Sequence, residues 1–301
     1  MRTSVSVMDL ADDPRVMNPV GTDSSHTIWA TTSVSSGLAP GGVRIGFIRI
    51  PTMQPSNAAL ALLQLDSEIA FFNASTDVLV VDVMRNPGGS ADVAEAFAQR
   101  LFPNAFQSVG FEIRATAEWV DAIVRAVVAA QAGGAPPDVI DNLRTIMNEI
   151  VTAYNEDRGR TAPVSLTTGD LTLPPAPTAY LKPMLLLVDE LTASGGDMFA
   201  AIIQDNHRGP LFGMRTMGAG GSVGQGSCTV FTESMCNTTL SLMNRGVVIS
   251  GTEYPPSPYI ENVGVRTEIV NDFMTRANLM SAGATFVQAF TDAAVKLAQT
   301  H

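Results

Sequence analysis

The residues whose types and spacing could do chemistry are Ser194, Gly195 and Gly196, set between two apolar runs. Leu185–Val188 reads as a buried strand and Asp189–Thr192 as a short polar turn. Met198, Phe199, Ala201, Ile202 and Ile203 then mark the apolar face of a helix. A serine at such a bend presents its hydroxyl beside a helix N-terminus, which favours developing negative charge. The glycines let backbone amides approach a ligand closely. Acyl transfer needs this pairing of a nucleophile with an oxyanion hole, the amide donors that hold a tetrahedral oxyanion. A serine in this place is equally suited to capping the helix.

A second glycine turn bears on that choice. Val78–Val83 is another run, apolar but for Asp82, followed by Met84-Arg85-Asn86-Pro87-Gly88-Gly89-Ser90 and a helix expected over Ala91–Leu101. Pro-Gly-Gly alone is ordinary turn chemistry. In parallel α/β sheets, however, ligands sit at the carboxyl ends of strands, and both glycine turns occupy such ends. Amides of Gly88 or Gly89 could therefore join that of Gly195 in facing Ser194.

These segments carry a resemblance. Val80-Val81-Asp82-Val83-Met84-Arg85-Asn86-Pro87-Gly88-Gly89 resembles the "LDLRxNPGG" stretch of the carboxyl-terminal processing peptidases and the tricorn core protease. Val188–Ser194 resembles their "VNExSAS" nucleophile segment. Asp205–Arg208 with Gly213–Gly218 resembles "DNGR…GxRTxG", Tyr259–Val265 resembles "IExxGVxPD", and Val43–Ile50 resembles the "IGYIRI" core strand. The ordered set covers about residues 43–270 and is specific as a set. It implies a Clp protease–crotonase-like α/β fold of stacked ββα units, and a serine-type peptidase acting on polypeptides. It implies Ser194 as nucleophile, and Gly88, Gly89 and Gly195 as the oxyanion hole.

The sequence departs from the family at one position. Where "GxRTxGKG" supplies a lysine base, this chain has Ala219, which cannot accept a proton. The resemblance therefore points to the tricorn-like branch, which uses Ser with His and Glu. Glu253 fits the position of that glutamate, with Glu261 as second choice; a solvated loop carboxylate is the plainer reading of Glu253. A serine hydroxyl needs a base within hydrogen-bond reach. The histidines are His26, His207 and His301. His207 is expected at the surface or in packing, His301 is terminal, and His26 lies in an irregular region that could fold over the cleft. The preferred expectation is that the base lies in a segment this chain lacks.

Composition bounds the remaining classes. The 301 residues are 46% hydrophobic, ample for a core, with a mean hydropathy of +0.18. The net charge of −11 argues against nucleic acid or anionic membrane as partner. No apolar run approaches membrane-spanning length, and the first residues contain no signal-peptide core. Two cysteines, Cys228 and Cys236, with the three histidines give no metal-ligand spacing, so neither metal nor cofactor is expected. The cysteines fall in an expected hairpin, Ser222–Phe231 with Cys236–Met243, either cross-linked or as free thiols. Family habit implies export to a periplasmic or extracellular space.

The elements that must position the site follow from patterning. Residues 1–42 read as an irregular segment with short strands at Val5–Met8 and Thr27–Ala30, and 43–301 as the catalytic core. Val43–Ile50 reads as a strand. Ser56–Phe72 reads as a helix capped by Ser56, with Ala59, Leu60, Leu62, Leu63, Ile69 and Phe72 on its face. Phe111–Arg114 reads as a short strand. Residues 116–157 form an expected helical hairpin inserted into the core, packing through Trp119, Ile123, Val127 and Val128 against Ile140, Leu143, Ile146, Met147 and Ile150. A Pro- and Thr-rich connection follows over 158–183, and a last helix spans Ala284–Gln299. The helical pair and the hairpin around Val230 are candidate interfaces for a homo-oligomer. Beside the peptidase stands a second reading, a catalytically inactive binding scaffold on the same fold; an acyl-CoA enzyme has no use for the serine segment.

Overall fold

The computed structural model describes residues 18–19, 31–33, 42–227, 231, 233–251 and 254–300. The chain divides into two compact units, one of Met1–Phe106, Pro174–Met217 and Val265–His301, the other of Gln107–Leu173 and Gly218–Gly264.

The first unit is built on a seven-stranded sheet. Its strands are β1 (Asn18–Pro19), β2 (Thr31–Ser33), β3 (Ile45–Arg49), β4 (Val78–Asp82), β8 (Met184–Val188), β9 (Leu211–Gly213) and β14 (Ile269–Val270), adjacent in that order. From β3 to β14 all pairings are parallel, while β2 is antiparallel to both β1 and β3. β3, β4 and β8 are buried at every residue, which is why, but for the paired Arg49 and Asp82 that end β3 and β4, they read as continuous apolar runs rather than alternating ones.

The helices are α1 (Ala58–Ser75), α2 (Ala91–Gln99), α5 (Gly195–Asp205), α6 (Arg276–Met280) and α7 (Ala284–Gln299). On one face Phe47, Val80, Leu185, Leu187 and Phe212 pack against Phe286 and Phe290 of α7. On the other, Gly46 leaves room for Phe72 of α1, whose ring would lie 2.5 Å from any Cβ placed there. That fit fixes the rotation of α1. Its buried stripe is Ala61, Leu65, Ile69 and Phe72, so Leu60 and Leu63, expected on the face, are 51% and 68% exposed. The cap is Asn57, not the expected Ser56: Asn57 Oδ1 accepts the Leu60 N–H at 3.0 Å.

The division between the units falls within β5 (Phe106–Gln107), and the second unit contains β6 (Gly110–Ile113), α3 (Ala117–Ala132), α4 (Pro137–Asn155), β7 (Thr172–Leu173), β10 (Val223–Ser227), β11 (Met235–Thr239), β12 (Ser241–Ile249) and β13 (Ser257–Tyr259). β12 lies between β13 and β6, and β10 pairs with β11. The expected helical pair is present as α3 and α4. Ile146 and Ile150 are buried with Ile113 and Val164 beneath Trp119 and Ile123, whereas Val128 is 58% exposed. These helices thus share a core with strand β6. The expected hairpin is β10–β11, but its second strand ends at Thr239 and Ser241–Met243 belong to β12. Cys236 is disulfide-bonded, and Cys228 lies outside the described residues, as do Val230, Val5–Met8 and Thr27–Ala30. Among the described residues no helix is long and apolar enough to cross a membrane.

Candidate active site

The two glycine turns leave neighbouring strands of one sheet. β4 and β8 pair in register from Leu79–Met184 to Asp82–Leu187, and the Val83 N–H continues the ladder to Leu187 O at 3.0 Å. The chain exits both strands at the same carboxyl edge, so the turns at 83–90 and 189–194 must meet there.

Ser194 begins α5 from an unusual backbone conformation, φ 52° and ψ −116°. A conventional N-cap residue has extended dihedrals. Positive φ in a non-glycine residue is strained and persists only where its surroundings enforce it. A serine held in a strained strand-to-helix turn is the arrangement that exposes a nucleophilic hydroxyl in other hydrolases. Here the enforcement comes from Asp197, fully buried in the first turn of α5, whose Oδ2 accepts the Ser194 N–H at 2.8 Å. Ser194 itself is half-buried.

The Pro87-Gly88-Gly89 turn lies directly against this bend. A Cβ on Gly88 would stand 2.6 Å from Ser194 Cβ and 2.7 Å from both Ala193 O and Gly195 N. A Cβ on Gly195 would lie 3.2 Å from Gly89 N, and one on Gly89 would strike Met53 C at 2.3 Å. With φ of 95° and 143°, Gly88 and Gly89 adopt backbone that other residues rarely can. The Gly88 N–H is already donated to Asn86 Oδ1 at 2.8 Å. The Gly89 and Gly195 N–H groups donate to no acceptor among the described residues. Those two amides, rather than that of Gly88, are the ones open to an incoming oxygen.

Side chains behind the turns hold them in place. Asn86, fully buried, donates from Nδ2 to Ile50 O at 2.9 Å, and its carbonyl accepts the Ala193 N–H at 2.9 Å. Asp189 Oδ1 accepts the N–H groups of Arg85 and Leu191 at 2.8 and 3.1 Å. The Thr192 hydroxyl lies within hydrogen-bond distance of both Val83 O and Asp189 Oδ1. At the end of β4, Asp82 pairs with Arg49 at 2.6 Å and accepts the Met84 N–H at 2.8 Å, both charged groups being buried. Burial pushes the Asp82 carboxyl above its ordinary range, outweighing the attraction of Arg49.

His207 is exposed, in keeping with the surface or packing position expected for it. It lies just past the far end of α5; at ~1.5 Å per residue the helix alone separates it from Ser194 by roughly 16 Å. It lines a cavity of about 690 Å3 with Asp77, Met184 and Pro210, at the amino ends of the strands and away from the glycine turns. His26, His301 and Glu253 lie outside the described residues. Glu261 accepts the Thr239 hydroxyl at 3.1 Å and, like Ala219, belongs to the second unit. Among the described residues no cluster of His, Cys, Asp or Glu could hold a metal ion.

Asn86 and Asp197 were not singled out from the sequence. Ser194-Gly195-Gly196-Asp197 does carry the Ser-x-x-acid spacing of a capping box, and Asn86-Pro87 is a turn signal. The first spacing points the Asp197 carboxylate at the Ser194 N–H, the contact observed, whereas the turn signal does not say which backbone groups the Asn86 side chain meets.

A family model described as peptidase family S41 matches residues 44–242. Proteins of Chlamydia pneumoniae and Chlamydia trachomatis are each 26% identical to the chain, over 276 and 253 residues. Those matches cover 82% and 75% of this chain but 43% and 40% of the relatives, so the chain spans less than half the length of these curated relatives. The structure of mature CPAF complexed with lactacystin aligns with a TM-score of 0.73 at 21% identity, covering 91% of this chain and 55% of that one. That likeness is one of fold, and it agrees with the α/β architecture expected from the apolar runs.

Proposed function

Because the chain belongs to peptidase family S41, we propose that it carries the nucleophile and oxyanion hole of a serine-type endopeptidase acting on polypeptides. The observation that supports this most directly is the strained Ser194 backbone set against the Gly88–Gly89 turn at a helix N-terminus. In this reading Ser194 Oγ attacks the scissile carbonyl, and the Gly89 and Gly195 N–H groups receive the oxyanion. A histidine takes the hydroxyl proton and passes it to the leaving amine; water then releases the acyl group by the same route. Glu253 orients that histidine. With His207 remote from Ser194, this reading takes the base to be His26 or a histidine supplied by a longer form of the protein. Export fits the disulfide-bonded Cys236, since disulfides persist in oxidising compartments.

The test is labelling by a fluorophosphonate, located by peptide mass mapping. Label is expected on Ser194 of the form that carries the base, with little on this chain alone if it lacks that base, and none after Ser194→Ala; absence of label on Ser194 in every form refutes the reading. His26→Ala slows labelling if His26 is the base and leaves the rate unchanged if the base comes from elsewhere. Ala219→Lys is expected not to raise the rate, and a large gain would favour a Ser-Lys mechanism instead. The inactive scaffold is the second reading, motivated by Ala219, and it predicts an unlabelled Ser194 in every form of the protein.

A further inference from the structure

We propose that Asn86 is a positioning residue that fixes the oxyanion-binding turn and couples it to the nucleophile turn; this rests on the reading of Ser194 and Gly89 given above. The peptide planes on either side of Gly88 decide which amide stays open. A trans peptide points its C=O and N–H in opposite directions, so anchoring one end aims the other. In the plane after Gly88, the carbonyl accepts the Met53 N–H at 2.9 Å. The Gly89 N–H is thereby turned away from Met53. In the plane before Gly88, the N–H is held by Asn86 Oδ1 at 2.8 Å. With both planes pinned, glycine at φ 95° has no remaining freedom to swing the Gly89 amide.

Asn86 can do this because it is itself anchored. Its Nδ2 donates to Ile50 O just beyond β3, and its own C=O accepts the Ala193 N–H immediately before Ser194. One buried residue therefore joins the exit of β3, the glycine turn and the serine turn. Without Asn86 Oδ1 the Gly88 N–H has no acceptor, and the turn can rotate to find one. The Gly89 donor would then lose its aim. The spacing of the β3 exit, the glycine turn and the serine turn would no longer be set by a single side chain.

Asn86→Leu tests this, since it nearly keeps the volume but removes both the acceptor for the Gly88 N–H and the donor to Ile50 O. Ser194 phosphonylation is expected to slow by about 100-fold, the effect of losing one oxyanion donor, with the affinity of the Ser194→Ala background for a substrate peptide unchanged on adding the substitution. Native-state amide exchange in the unsubstituted chain gives a second measurement that needs neither the variant nor catalysis. Gly88 N–H should exchange at least about tenfold more slowly than Gly89 N–H, as expected when only one of two neighbouring amides is bonded. Equal exchange of the two amides overturns the proposal, as does undiminished labelling in Asn86→Leu. A slow Gly88 amide with no label on Ser194 in any form of the protein instead overturns the peptidase reading, and the catalytic part of the Asn86 assignment with it.

Discussion

Gly88 and Ser194 are packed so closely that a methyl group on the glycine would lie 2.6 Å from the serine Cβ. Two turns separated by about a hundred residues of chain are thus built as one object, with no space for a side chain between them. The strain at Ser194 follows from that closeness. The bend is pressed from one side by the glycine turn and tied from the other by Asp197, so it cannot relax to ordinary cap dihedrals.

Gly88→Ala should therefore be severe. The new Cβ would meet the backbone atoms Ala193 O and Gly195 N, which cannot rotate away, at a position with φ 95°. Left-handed backbone costs an alanine about 1–2 kcal/mol, and overpacking adds about 1–3 kcal/mol. Urea unfolding should show a loss in that combined range together with loss of Ser194 labelling. A variant of unchanged stability and labelling would mean that the turns are not in contact.

Asp197→Ala should uncouple Ser194 from its helix. The Ser194 N–H would lose its carboxylate acceptor, and an unsatisfied buried donor costs about 1–3 kcal/mol. Labelling of Ser194 should also slow, because the strained conformer would no longer be enforced. Asp197→Asn retains an acceptor oxygen and should fall between the two. A stability loss with unchanged labelling would show that Asp197 serves only as a cap.

Arg49→Met should destabilise in a pH-dependent way. Asp82 titrates above its ordinary range, so it is harder to ionise folded than unfolded. Its contribution to stability is then fully present below the ordinary carboxylate value and declines as pH rises through the raised folded value. Removing Arg49 takes away the charge that opposes this. The loss should reach about 3–5 kcal/mol at neutral pH, as for other buried pairs broken on one side. It should shrink near about pH 4, where carboxyls accept protons. Arg49→Met combined with Asp82→Asn should recover part of the neutral-pH loss. Urea midpoints at the two pH values decide it, and equal losses would refute the assignment.

The residues legible in the sequence are those whose role is set by their near neighbours. Val78–Asp82 and Met184–Val188 announce themselves as buried parallel strands because they are apolar at every position but the last of the first, Asp82. α7 runs over Ala284–Gln299, the span its periodicity predicts, and Ser194 and the Gly88–Gly89 turn each sit between one strand and one helix that local pattern identifies. What tertiary structure alone decided was which partner each group meets across the chain. Leu60 and Leu63 face outward because Phe72 fills the gap above Gly46, on a strand that periodicity along α1 cannot sense. The Gly88 amide is taken by Asn86 while that of Gly89 stays open, because Met53, a residue of another segment, turns the peptide plane between them. Hydrophobic periodicity is written residue by residue along the chain. The direction of a single N–H is fixed only when distant segments are brought together, and it is there that the chemistry of the serine turn is determined.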